Sequence, residues 1–374
     1  MKITKLETTP IESRGLLLQM HTDEGLVGLG SPMNYEHGRT VERAVHDMGD
    51  YLIGKDPRQV EDHWQALFRS SYSRQMPILL AALSGIEMAC LDILGKSLEV
   101  PIWRLLGGSC RDRVRVYAAA HGHTPEEFAQ SARESVNQGF TAVKLTPFPD
   151  PIRYIDTPAA IETVIRRVAA VREAVGKEVD VAVDFHRAVS PAMAKLLLKE
   201  LEPLTPMFVE EPTHPENVDA LLEITRSTSI PIATGERNTT RWGFREICEK
   251  KAAAVLQPDI RHCGGILEMR KIASYAEVHY IALAPHSAAD AVGVAASIQV
   301  AATIPNLLIQ EFGGGTGEGL FSTPLKCVQG YVELPQQPGL GIEINHARLE
   351  SYRLKEWKLR PQRRDREDGS VNDI

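Results

Sequence analysis

Between residues 113 and 312, short runs rich in valine, alanine and isoleucine alternate with longer stretches whose apolar positions recur every three to four residues. The runs are RVRVYAAA (113–120), AVKLT (142–146), VDVAVDF (179–185), PMFVEE (206–211), PIATGE (231–236), AVLQPD (254–259), IALAPH (281–286) and NLLIQEF (306–312). Such alternation predicts parallel βα units. Eight of them point to a closed (β/α)8-type barrel in preference to an open, doubly wound sheet. No GxGxxG or P-loop follows any run, so nothing here marks a nucleotide site.

The first third has a different texture. GLLLQMHTDEGLVGLGSP (15–32) predicts a hairpin that turns at Asp23, Glu24 and Gly25. PILLAALSGIEMACLDILGKSLEV (77–100) places apolar residues at helical spacing behind a proline start, and Gly107 and Gly108 then break the pattern. This segment reads as an α+β unit over residues 1–112, ahead of the barrel.

Composition narrows the partners. A formal charge of -7 leaves no basic footprint for nucleic acid, and the one dense basic run, RPQRRDRED (360–368), is interleaved with acids like a solvated tail. The five cysteines lack paired or CxxC spacing, which argues against a disulfide framework or a thiolate zinc site and fits a reducing, cytoplasmic compartment. The N-terminus has no signal-peptide core, and no stretch was expected to reach the roughly 18 apolar residues of a membrane span. The expectation is a soluble protein with no nucleic-acid or membrane partner.

The chemistry lies at the strand ends. Asp184, Glu210, Glu236, Asp259, His286 and Glu311 follow one another at intervals of 23 to 27 residues, one βα unit each. In a barrel these ends converge on one mouth, where active sites of this architecture lie. Asp184, Glu210 and Glu236 would bring three like charges together, and a divalent cation is the natural compensation. All-oxygen ligands favour a hard ion, Mg2+ before zinc. The competing reading pairs each acid with a local base such as Arg237 or Lys144. His186 follows Asp184 by two positions, which on a strand sends both side chains to one face. Asp259 is placed to accept a hydrogen bond from His286, fixing its tautomer. Two histidines and a cation suit removal of a proton beside a carboxylate, with elimination of water if the next carbon carries a hydroxyl.

The segments KLT, VDFH, FVEEP, IATGER, LQPDIRHCGGI, LAPH and LIQEF, in that order, resemble the enolase superfamily, in its mandelate racemase branch, and most closely its galactonate dehydratase members. The resemblance spans nearly the whole chain. It implies a modified TIM barrel of (β/α)7β type over 113–325, an α+β capping domain over 1–112, and a C-terminal segment, 326–374, packed back on the cap. It implies that Asp184, Glu210 and Glu236 bind Mg2+, with the first glutamate of EEP as the ligand and Glu211 facing away. His286, oriented by Asp259, would be the base at C2, and His186 the acid at the departing C3 hydroxyl. Glu311 would hydrogen-bond a substrate carboxylate oxygen or the enediolate.

Several positions depart from the family pattern. Relatives that racemise or cycloisomerise often carry K-x-K where this chain has Lys144 and Thr146, relatives often have a glutamate at Ser31, and galactonate dehydratases commonly have a glycine at Arg187. Lys144 either contacts the substrate carboxylate or pairs with a ligand acid. Lys144, Arg237 and His214 stand as substrate-binding candidates, with a solvated surface role competing for His214. Cap loops within TPIESRG and RSSYSRQM are candidates for specificity. The leading expectation is an Mg2+-dependent acid-sugar dehydratase, a homo-oligomer acting on a small aldonate or aldarate. The alternatives are an epimerase, racemase or cycloisomerase of a related carboxylate, and a barrel retained for binding alone.

Overall fold

The computed structural model describes residues 1–12, 15–32, 37–74, 76–148, 156–287, 290–313, 315–357, 364 and 368–371. Parts of both cap loops and most of the basic tail singled out above lie outside the described residues.

The chain opens with an antiparallel sheet of β1 (Ile3–Ile11), β2 (Gly15–Thr22) and β3 (Val27–Gly30), in that order. The β2–β3 turn falls at Asp23–Gly25 as the polar interruption predicts, with Gly25 at φ 83°. Helices α1 (Gly38–Leu52), α2 (Val60–Ser70), α3 (Pro77–Ser97) and the single turn α4 (Ile102–Leu105) complete this unit. Helix α3 lies so close to β3 that a Cβ on Gly30 would sit 2.0 Å from the Gly85 carbonyl oxygen, so only glycine allows the contact.

Helix α3 corrects one expectation: its 21 residues are long and apolar enough to cross a membrane. Here 83% of its most apolar window is buried inside the protein. The helix also carries buried polar residues that bind backbone elsewhere, which a lipid-facing helix has no use for. Asp92 accepts from the Leu29 and Leu340 amides at 2.9 and 2.7 Å, and Glu87 from those of Ile266 and Leu267 at 2.8 and 2.9 Å.

Next comes the alternation: β4 (Arg113–Ala120), α5 (Pro125–Asn137), β5 (Ala142–Leu145), α6 (Pro158–Val175), β6 (Asp180–Asp184), α7 (Pro191–Leu201), β7 (Phe208–Glu210) and α8 (Val218–Thr225). It continues with β8 (Ile232–Thr234), α9 (Thr240–Lys250), β9 (Val255–Leu256), α10 (Ile266–Glu277), β10 (Ala282–Leu283), α11 (Ala291–Ala301) and β11 (Gln310–Glu311). Helices α5, α6 and α7 each start at a proline behind a Thr or Ser whose hydroxyl caps the first turn. Strands β4 to β10 pair in parallel, β10 meets the last segment through a Leu283–Leu307 bridge, and β11 pairs with β4. The result is a closed barrel of the (β/α)7β type, as the resemblance implies.

Beyond the barrel, a hairpin of β12 (Cys327–Val328) and β13 (Tyr331–Glu333) extends β4 on its other edge. The chain then returns to the first unit, where the Leu354 amide donates to the Pro10 carbonyl at 2.8 Å.

The barrel interior explains where the site lies. Tyr117, Ala142, Ala182, Phe208, Ala233, Val255, Ala284 and Ile309 form one apolar layer. Two residues further along their strands, on the same face, come Lys144, Asp184, Glu210, Gln257, His286 and Glu311. A polar layer therefore sits directly above an apolar one. On β8 the step is three residues, because Gly235 at φ 126° inserts an extra position before Glu236.

Candidate active site

Six carboxylates, those of Asp184, Glu210, Glu211, Glu236, Asp259 and Glu311, gather with three permanent cations, Lys144, Arg187 and Arg261, and all nine are buried. Lys144 Nζ lies 2.7 Å from Glu210 Oε1, 2.9 Å from Glu311 Oε1 and 4.0 Å from Asp184 Oδ2. Of the two roles open to Lys144, pairing with the acids is the one realised here. Gln257 Nε2 donates to Glu210 Oε2 at 2.7 Å. Burial and the neighbouring acids Asp184, Glu311 and Glu236 push the Glu210 carboxyl up, against the pull of Lys144. Burial opposes the charge on Lys144, but the carboxylates of Glu210 and Glu311 hold it firmly protonated.

Glu236 finds a different partner from the one expected. Arg187 Nη1 donates to Glu236 Oε1 at 2.6 Å and to Glu211 Oε2 at 2.8 Å, whereas Arg237 is exposed. Despite burial, His286, Arg187 and His186 keep the Glu236 carboxyl well below the ordinary range. Glu211 is fully buried, with Oε1 accepting from the Thr234 hydroxyl and the Gly235 amide at 2.6 and 2.9 Å. It ties the end of β8 to Arg187.

Strand β6 ends at Asp184, and His186 and Arg187 follow in left-handed conformations at φ 47° and 58°. Alternation along a strand therefore does not set the direction of His186, contrary to the expectation from its spacing. The turn is held by Asp184 itself, whose Oδ1 accepts from the His186 amide at 2.7 Å, and by the Arg187 amide bonding to the Glu211 carbonyl at 2.9 Å. His186 is half-buried, and its charge is felt at Glu236.

His286 Nδ1 and Asp259 Oδ2 are 2.7 Å apart, and Nε2 stands 3.6 Å from both Glu236 Oε2 and Glu311 Oε2. Asp259 is fully buried; Arg261 and His286 overcome that burial and hold its carboxyl far below the usual range. An ionised Asp259 accepting from Nδ1–H leaves Nε2 as the lone-pair nitrogen facing the mouth. Glu311 accepts from Lys144 and from the Ser287 amide at 2.7 Å, and although buried it is pulled below the ordinary range by Lys144 and His286.

His214 is half-buried, with Nδ1 4.0 Å from Glu216 Oε2. Trp242 lies partly exposed on α9 and stacks on Phe68 of α2 at 5.4 Å, while Phe244 is buried, so the helix-packing reading holds for Phe244 and a cap contact accounts for Trp242. Reading along the chain missed Gln257 and Arg261. The two-residue rule finds Gln257, since it precedes Asp259 by two; no local signal marks Arg261.

Among the described residues, no three acidic, histidine or cysteine side chains stand close enough as placed to chelate a metal, because Lys144 and Arg187 hold the nearer carboxylate oxygens. The donor chemistry nonetheless fits a hard divalent cation: the acids outnumber the permanent cations and offer oxygen alone.

The fold and this ring of acids have known counterparts. Residues 5–107 match the mandelate racemase/muconate lactonizing enzyme N-terminal domain, and residues 127–348 match the enolase C-terminal domain-like family. The chain belongs to the mandelate racemase/muconate lactonizing enzyme family of the enolase superfamily. It is 40% identical to a D-galactonate dehydratase of Variovorax paradoxus, over 93% of this chain and 94% of that one. It is 38% identical to a D-galactonate dehydratase of Klebsiella pneumoniae, over 96% of each. Among solved structures, a mandelate racemase/muconate lactonizing enzyme-like protein from Rubrobacter xylanophilus superposes with a TM-score of 0.90 at 35% identity, over 95% of this chain and 98% of that one.

Proposed function

We propose that this protein is an Mg2+-dependent acid-sugar dehydratase that eliminates water from an aldonate of the galactonate type to give a 2-keto-3-deoxy acid. The observation that carries the reading is His286, whose Nδ1 is tied to Asp259 and whose Nε2 faces the carboxylate ring. Asp184, Glu210 and Glu236 would hold the cation. When bound, it supplies electrophilic stabilisation for the charge that develops on the substrate carboxylate.

The chain's own residues do the proton work. His286 Nε2 takes the proton from C2, and Asp259 stabilises the imidazolium that forms, a contribution of about 10²- to 10⁴-fold for a positioned base. The C3 hydroxyl leaves with a proton from His186, and the enol tautomerises to the ketone. Lys144, with protons to give, faces the substrate carboxylate. Glu311 accepts from Lys144 and Ser287 and so fixes the lysine; its depressed pKa opposes donation from Glu311 itself. A histidine on each side of one carbon–carbon bond matches elimination. Racemisation at C2 by a second lysine is disfavoured, because Thr146 stands where that lysine would be.

Incubating the enzyme and Mg2+ with a panel of aldonates and aldarates, and trapping ketones with semicarbazide, tests the reading. D-galactonate is expected to give a 2-keto acid. Proton exchange at C2 in D2O with the C3 hydroxyl retained would favour an epimerase, and no reaction with any member sinks the proposal.

A further inference from the structure

Behind Asp259 lies a chain of buried polar groups that the elimination itself does not use. Arg261 is 1% exposed. Its Nε and its own backbone amide each donate to Asp259 Oδ1 at 2.9 Å, and Nη2 donates to Oδ2, the oxygen shared with His286. Nη1 reaches Asp290 Oδ2 at 3.3 Å. Asp290 caps α11 by accepting from the Gly293 amide at 2.8 Å, and its Oδ2 also accepts from the hydroxyl of Ser31, on the cap, at 2.9 Å.

We propose that Arg261 is a positioning residue for the His286–Asp259 pair, and that Asp290 and Ser31 anchor its guanidinium to the cap. This rests on the reading of His286 as the base. A carboxylate bound at one oxygen only is free to rotate about its Cβ–Cγ bond and carry the imidazole with it. Here the fork of Arg261 spans both oxygens of Asp259, which fixes the plane of the carboxylate and so the direction of its bond to Nδ1. The guanidinium occupies a fitted slot. A Cβ on Gly293 would lie 2.8 Å from Arg261 Cδ, so the first turn of α11 is cut back to admit it. A buried acid–arginine–acid triad is costly compared with apolar packing of the same volume, which makes it a poor device for stability alone and a good one for fixing geometry. Its far end lies on the cap, at the position where relatives often carry a glutamate, so seating of the cap is transmitted to the base through three polar contacts.

Arg261→Lys keeps the charge and removes the fork. In spectra of protein labelled with ¹⁵N-histidine, the hydrogen-bonded Nδ1–H of His286, assigned by its loss in His286→Asn, is expected to shift or broaden in Arg261→Lys. On an acid sugar turned over by the wild type, kcat is expected to fall about 10²-fold with KM changed no more than about twofold, the signature of a misaligned base. Gly293→Ala, which pushes on Arg261 without altering any polar group, and Ser31→Ala, which releases the cap end, are expected to move the same resonance less; they carry the test if Arg261→Lys does not fold. An unchanged His286 resonance in the folded variants, or a loss confined to KM, overturns the proposal. If the wild type dehydrates no acid sugar, the proposed function fails while the resonance still decides the positioning role.

Discussion

Arg187 Nη1 sits 2.6 Å from Glu236 Oε1, so one of the acids at the mouth shares its charge with a buried guanidinium from the neighbouring strand. The same arginine holds a left-handed backbone at φ 58°, a conformation costing a non-glycine residue about 1 kcal/mol or more. Arg187→Gly relieves that strain and frees Oε1. Mg2+ binding, measured by titration calorimetry, is expected to tighten about tenfold, the scale of one charge-assisted hydrogen bond. Stability is expected to fall by about 3 kcal/mol, because Glu211 loses its cation while buried. Weaker Mg2+ binding would show that the arginine assists the metal rather than competing with it.

The two histidines are expected to separate the two proton transfers. His286→Asn should abolish both dehydration and exchange of the C2 proton with D2O. His186→Asn should lower dehydration by about 10²- to 10⁴-fold while C2 exchange persists. Proton NMR of an aldonate in D2O reads both. Loss of exchange in His186→Asn would mean that this residue acts before, or together with, the base.

Chelation with EDTA is expected to stop turnover and Mg2+ to restore it, with calorimetry detecting the ion on the wild type and not on Asp184→Asn. Undiminished Mg2+ binding in that variant would remove Asp184 from the ligand set.

Glu87 gives a stability prediction far from the chemistry. Burial pushes its carboxyl from 4.5 up to about 8, although two backbone amides at the start of α10 pull it down. The folded protein therefore keeps a proton that the unfolded chain loses above about pH 4.5. Between these values the native state binds more protons, so this contribution to stability is lost as pH rises through the window. Urea unfolding at pH 5 and pH 8 should show a smaller pH-dependent loss for Glu87→Gln than for the wild type. An equal loss would mean that Glu87 is ionised in the fold already at pH 5.

Much of the fold was legible because its signals are local. Each of the eight runs becomes a strand or part of one, and the Thr-Pro and Ser-Pro pairs at 124–125, 157–158 and 190–191 start helices where their capping chemistry predicts. The length of α3 misled only in isolation, since its burial depends on β3, α10 and the returning C-terminal segment. The regular spacing of Asp184, Glu210 and Glu236 was equally readable, because one βα unit consumes a nearly constant length of chain.

Partners were harder to read. Arg187 was noticed only as a departure from glycine; its bonds to Glu211 and Glu236 depend on a left-handed turn that strand spacing does not foretell. Lys144 and Glu210 are 66 residues apart, and Ser31 and Asp290 are 259 apart. By itself the sequence determined which residues stand at the mouth, through the two-residue period of strands and the repeating length of βα units. Only the tertiary structure decided which charge answers which, because barrel closure and the seating of the cap bring those side chains together, and neither is encoded within any one segment.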